Sequence, residues 1–292
     1  MKIVIDFIYC EYYSQCRDMS ATPISELSLE LLFGDSLTSS LCVNIEKGTE
    51  TWVATGMLVQ QLESFTDAVV VRENDKPIGI VGGKDIIVPL VENPNSSLFY
   101  DTKVEDVMEK RFPTVTGKSK LKELINFWKD TRRAFAAVPN EFSDYSALSA
   151  KKLLEVGIKV KTEMSISKLP KKKVVTFNEK DTIGDVLNSM LEINTRRLVL
   201  ADSNKFINDR IILQKITEEL KCLKETENFM DLPTSEFNLE EAKTITEDLK
   251  IQEISKIMFD MDHPSVLFQD QIITPWDICL SLLSENITEY EN

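Results

Sequence analysis

Short apolar runs alternate with longer stretches in which apolar residues recur every three or four positions, and this order returns four times along the chain. The first copy shows the pattern in full. Leu41-Cys42-Val43-Asn44-Ile45 alternates as a half-buried strand does. Thr51 to Leu62 has helical spacing, Ala68-Val69-Val70-Val71 is an apolar strand, and Asn74-Asp75-Lys76-Pro77 is a turn. Ile78-Gly79-Ile80-Val81 is a further strand, and a helix follows from Gly83 to Leu90. The order is β-α-β-β-α.

The second copy opens with a lead-in turn at Val104 to Met108 and a strand at Thr114 to Thr116. Its helix, Lys120 to Thr131, puts Leu121, Leu124, Ile125 and Trp128 on one face. Phe135 to Val138 is a strand, and Ala150 to Val156 a helix. The third copy leads in at Ile166 to Leu169, has a strand at Val174 to Phe177, and then a helix from Asp181, whose carboxylate is placed as the N-cap. The fourth has a strand at Ala242 to Ile245, a helix marked by Leu249, Ile251, Ile254, Ile257 and Met258, and a hairpin across Gln269-Asp270. Its last helix starts at Pro275, well suited to a first turn. Residues 1–16 read as one strand, and Pro23 opens an amphipathic stretch. The segment Asp231 to Glu241 reads as a loop.

Repetition at this period is the sequence signature of one small unit copied along a chain. The expected units are 36–94, 104–158, 164–221 and 228–286, after an N-terminal extension over 1–35. The junction Gly79 to Ile87 ends a strand and opens a helix, and Gln271 to Cys279 does the same. Ala147 to Leu154 and Phe206 to Leu213 are degraded versions of it. One column of these junctions reads Asp85, Lys152, Ile211, Asp277, at spacings of 67, 59 and 66 residues.

The repeated unit resembles the cystathionine-β-synthase (CBS) domain. The third copy carries the likeness best, in its Val-Val-Thr-Phe strand, its Asp-Thr-Ile-Gly-Asp-Val-Leu helix and the run Arg-Arg-Leu-Val-Leu-Ala-Asp. In the fourth, Ile273-Thr274-Pro275-Trp276-Asp277-Ile278 is similar to the family's strand-end Thr/Ser-x-x-Asp. The resemblance implies an α/β (α+β) fold of four CBS units paired into two Bateman modules, similar in layout to the gamma subunit of the AMP-activated protein kinase. It also implies a regulatory, non-catalytic module that binds an adenosine-containing ligand (AMP, ADP, ATP or S-adenosylmethionine), with no required cofactor.

Carried over residue by residue, the likeness assigns Asp85 and Asp277 to a ribose, with Gly82 and Thr274 beside them. Gly82 stands where the family usually has Ser or Thr. Lys152 and Ile211 cannot accept bonds from ribose hydroxyls, so each module keeps one family-like site. Arg132-Arg133 and Arg196-Arg197 stand before the second strands of units two and three, in what read as equivalent repeat positions. By the resemblance they meet phosphates, Arg132 and Arg133 completing the Asp85 site, Arg196 and Arg197 the Asp277 site. Lys171-Lys172-Lys173 reads as solvated charge.

Composition narrows the remaining classes. A formal charge of −14 argues against general nucleic-acid binding, which needs clustered Lys and Arg, and against an anionic membrane surface. No segment reaches the ~18–20 apolar residues of a membrane helix, so the expected location is the cytoplasm. Five cysteines without a CxxC pair suit neither a disulfide framework nor a zinc site, and Cys42 and Cys279 read as core thiols. The chain holds one histidine, His263, and no phosphate-binding glycine loop. Two functions stay open: a nucleotide sensor that signals to a protein partner, dimerising through its CBS helices, or an interaction scaffold with degenerate sites.

Overall fold

The computed structural model describes residues 22–60, 67–140, 144–218 and 229–291, so the expected strand over 1–16 lies outside the described residues. Unit one runs β1 (Asn44–Glu46), α1 (Thr51–Gln60), β2 (Ala68–Glu73), β3 (Lys76–Gly82) and α2 (Gly83–Glu92). β1 pairs parallel with β2, which the intervening helix makes sterically feasible, and β2 pairs antiparallel with β3. Unit two has α3 (Leu121–Thr131), β4 (Phe135–Pro139), β5 (Tyr145–Ser149) and α4 (Leu154–Lys159). Its expected first strand is reduced to one parallel bridge, Thr114 to Ala137.

Unit three has α5 (Ile183–Ile193), preceded by the two-residue strand β6 (Thr176–Phe177), then β7 (Arg197–Leu200), β8 (Lys205–Asn208) and α6 (Asp209–Glu218). Unit four has β9 (Lys243–Ile245), α7 (Ile251–Phe259), β10 (Val266–Phe268), β11 (Gln271–Ile273) and α8 (Pro275–Ser281). Both sheets repeat the parallel-then-antiparallel order of unit one. The cap of α5 corrects the sequence reading. Thr182, not Asp181, caps it, in a reciprocal box with Asp185. Asp181 instead closes the preceding turn, accepting the Asn178 N–H at 2.8 Å.

Crossed lead-in segments pair the units. Residues before unit two bridge to unit one (Glu50 with Lys103), and residues before unit one bridge to unit two (Ser28 with Lys120). Units three and four exchange lead-ins the same way, through Thr182 with Pro233 and Ser165 with Lys250. Within the first pair the sheets face each other over Cys42, Ala68, Val70, Ile80, Phe135, Ala137 and Ala147. That is why β2 reads as an unbroken apolar run: helices cover one face and the partner sheet the other.

The larger cores join units of different modules. One gathers side chains of units one and three, the other those of units two and four. α1 and α2 pack on α6, and α4 packs on α7 and α8. Where α4 crosses α7, Gly157 lies against Ser255, whose hydroxyl is turned to the Ile251 carbonyl at 2.6 Å. The helices that the sequence assigns to a homodimer are thus packed between the two halves of one chain. Residues at both ends of the described chain join this second core: the Ile24 N–H donates to the Ile287 carbonyl at 2.9 Å, and residues 289–290 pair with 160–161. Among the described residues no helix is long and apolar enough to cross a membrane.

Candidate functional site

Each unit ends its hairpin and turns into a helix, and the first-turn side chains of that helix are set by the cap. In unit one Gly82 is the cap and donates its N–H to Asp85 Oδ2 at 2.8 Å. In unit four Thr274 is the cap, and its N–H and hydroxyl reach Asp277 Oδ2 at 2.9 and 2.8 Å. Ser149 and Asn208 hold the same place, their side chains accepting from the Lys152 and Ile211 N–H groups. The structure therefore puts Asp85, Lys152, Ile211 and Asp277 at equivalent positions, as the repeat implied.

Both Asp side chains are buried, 6% and 5% exposed, and each is held by a cation from elsewhere in its module. Arg133 of unit two grips Asp85 with both guanidinium arms, at 2.7 and 2.5 Å. Its Nε also lies 3.6 Å from Glu109. Burial pushes the Asp85 carboxyl up from its ordinary value, and Arg133 and the Gly82 N–H offset part of that rise. Asp277 receives Lys172 Nζ at 2.5 Å. Sequence reasoning left Lys172 as solvated charge, because a run of three lysines gives no sign of which one turns inward.

The two Arg pairs do not occupy equivalent positions, contrary to the sequence reading. β4 aligns Phe135 with Ser149, whereas β7 aligns Arg197 with Asn208, the corresponding cap. Arg133 thus stands two residues before its strand register and Arg197 within it. Arg132 is the C-cap of α3 in the left-handed region (φ 55°), the place that Asn194 takes after α5. Arg196 turns to Asp209, at 2.8 Å, rather than to Asp277. Arg197 keeps a buried Nε without a protein acceptor, and burial together with the adjacent Arg196 pulls its guanidinium down to about 10.

Asp209 was missed because it stands two places before the aligned column, in the first position of α6. The available signal was the polar triplet Asn208-Asp209-Arg210 set between apolar residues. Burial alone would raise its carboxyl, but Arg196, Arg210 and Arg197 outweigh that and hold it below the ordinary value. Arg196 and Arg210 also approach Asp67 of unit one, at 3.8 and 3.7 Å, and Arg210 donates to the Leu58 carbonyl at 2.5 Å. Gly83 abuts Asp209 so closely that a Cβ there would collide with the carboxylate. The unit-three junction is therefore an ionic lock between modules. In unit two the same place is filled by Lys152, 1% exposed, which bonds Ser39 Oγ at 3.0 Å and Glu155 at 2.6 Å.

These junctions open on one central cavity of about 1280 Å³, lined by all four units. Ten Lys and Arg residues and four Asp residues line it. In a chain of net charge −14 this is a local reversal of sign, and helix N-termini at Gly83 and Pro275 add to it. Thr274, Trp276, Gly82 and Ile80 supply polar and apolar wall. The arrangement suits an anion with an apolar or aromatic end. Among the described residues no cluster of His, Cys, Asp and Glu could hold a metal.

Residues 166–208 match the model of the CBS domain. The chain carries the CBS fold in tandem. Protein MJ1225 from Methanocaldococcus jannaschii, proposed as an archaeal homologue of γ-AMPK, superposes with a TM-score of 0.68 at 16% identity, over 87% of this chain and 99% of that one. An uncharacterized conserved protein from Pyrococcus horikoshii gives 0.52 at 13% identity, over 86% and 99%. No curated protein matches in sequence. At these identities the likeness speaks for the fold, and the CBS match lies on the unit in which the sequence pattern was clearest.

Proposed function

We propose that this tandem CBS protein is a non-catalytic regulatory module that binds adenine nucleotides in its central cavity and passes occupancy to a protein partner. One observation carries the reading: two buried carboxylates, Asp85 and Asp277, sit at helix N-termini beside a cavity rich in cations. A carboxylate so placed suits a ribose diol, and the cations suit the phosphates. Arg132, Arg133, Arg196 and Arg197 all line the cavity and are the proposed phosphate contacts, with Lys172 added to them. The excess of positive lining favours AMP, ADP or ATP over S-adenosylmethionine, whose sulfonium is cationic. Such a protein would work in the cytoplasm. A homodimer through the CBS helices does not enter the proposal, since one face of α1, α2, α4, α6, α7 and α8 already packs within the chain.

Thermal unfolding with AMP, ADP, ATP and S-adenosylmethionine tests this. A nucleotide at about 100-fold its Kd should raise Tm by several degrees. Unchanged Tm with every nucleotide would remove the nucleotide reading. The scaffold alternative draws on the closed junctions of units two and three, with Lys152 satisfied by Ser39 and Glu155 and Asp209 by Arg196. Native mass measurement separates the two readings, because a scaffold forms the same assembly with or without nucleotide.

A further inference from the structure

In both open junctions the carboxylate is already bonded to a cation. Asp85 gives both oxygens to Arg133, and Oδ2 also takes the Gly82 N–H. Asp277 gives Oδ1 to Lys172 and Oδ2 to Thr274. Each carboxylate keeps one lone-pair site, on Oδ1, so it can hold both hydroxyls of a ribose only by displacing the cation. The displaced Arg133, 17% exposed, must then find another anion, because an uncompensated buried charge is expensive, whereas Lys172, 46% exposed, loses its ion pair and is partly rehydrated. Among the described residues, Arg133 has one alternative acceptor, Glu109 Oε2, 3.6 Å from its Nε.

We propose, on the nucleotide reading above, that Arg133 and Lys172 are exchange gates which select for a ligand that carries a phosphate, strictly at Asp85 and in part at Asp277. Each cation leaves its Asp for the ligand's phosphate as the ribose takes the Asp. The ligand class narrows to nucleoside phosphates. Neutral nucleosides are disfavoured because they leave the gate cation without its ion pair, and sulfonium nucleosides because they add a positive charge to a cationic cavity. No covalent bond changes; only partners are exchanged.

The two gates differ in strength. The Arg133–Asp85 pair is bidentate, and Arg133 is 17% exposed. Lys172 makes one bond and is 46% exposed, so water can receive its ammonium during exchange. The Asp277 site therefore fills first, and the Asp85 site follows at higher nucleotide concentration. Discrimination against nucleosides is sharper at Asp85, where the gate is harder to open.

The test is calorimetric titration of AMP and of adenosine, with ADP and ATP alongside, into the wild-type chain, Lys172→Ala and Arg133→Ala. In the wild type, adenosine should bind about 100-fold more weakly than AMP. Removing a gate should reverse the two trends: adenosine tightens by on the order of tenfold while AMP weakens. Lys172→Ala leaves Asp277 bonded to the Thr274 N–H and hydroxyl, so it reports even where Arg133→Ala, which leaves Asp85 the Gly82 N–H alone, fails to fold. Adenosine within about threefold of AMP in the wild type overturns the gate and leaves nucleotide binding standing. So does a Lys172→Ala chain in which AMP weakens and adenosine does not tighten, since Lys172 is then a plain phosphate contact. Absence of binding by AMP, ADP, ATP and adenosine to all three chains removes the nucleotide reading, and the gate with it.

Discussion

His263 lies between units three and four. Its Nδ1 is 3.3 Å from Asn208 Nδ2, and its ring meets Phe206 edge-on with centroids 6.1 Å apart. Asn208 Oδ1 is engaged by the Ile211 N–H, which orients the amide so that its NH2 faces the imidazole. Nδ1 then accepts, and the ring is neutral. Burial, with Arg197 and Arg210 nearby, pulls its value down to about 4. The folded protein thus binds this proton less readily than the unfolded chain, whose value is 6.5. Stability is fully present above 6.5 and falls as the pH drops toward 4, by about 2 kcal/mol after allowance for partial exposure. The single imidazole can be followed by NMR, and its midpoint should lie near 4. His263→Gln should flatten the fall of Tm between these pH values. A midpoint near 6.5 would contradict this environment. At this scale the sequence was legible where spacing decides, as at Asp85 and Asp277. It was silent where a long side chain chooses its direction, as at Lys172 and Arg196.

Elements were legible to the extent that apolar spacing sets them. α3 buries Leu121, Leu124, Ile125 and Trp128 as the spacing requires, and Trp128 also donates to the Phe135 carbonyl at 2.9 Å. The cap of α5 was misplaced by one residue because Asp181 and Thr182 are both good caps, and backbone geometry, not composition, chooses between them. The α4–α7 crossing was not legible, since a glycine in a helix says nothing of what it faces. Gly157→Ala should collide with the Ser255 hydroxyl and press on Ile278 Cγ2, 3.1 Å from the new Cβ. Overpacking there should cost about 1–3 kcal/mol, read as a lower denaturant midpoint. Gly157→Ala with Ser255→Ala should recover part of it, and full independence of the two changes would show that the crossing is loose.

For the whole molecule, pairing of units one with two and three with four follows from their crossed lead-ins. The cores follow a different rule, since each large one is shared between modules. Amphipathic helices show that a face is buried without showing against what, so the sequence reading assigned these faces to a second chain. It follows that a fragment ending at residue 163 exposes half of both cores and should not unfold cooperatively by calorimetry. A sharp transition in that fragment would contradict the shared cores. If the proposed function holds, the shared cores would carry occupancy from one module to the other. Gly82 and Arg133 beside Asp85, and Asp277 itself, line one cavity between the modules, so on the proposed function a ligand there would act on both modules. The stoichiometry of AMP binding tests that picture most directly. Calorimetry should give two AMP per chain in the wild type and one in each of Asp85→Ala and Asp277→Ala. No binding, or two sites persisting in both variants, would contradict it.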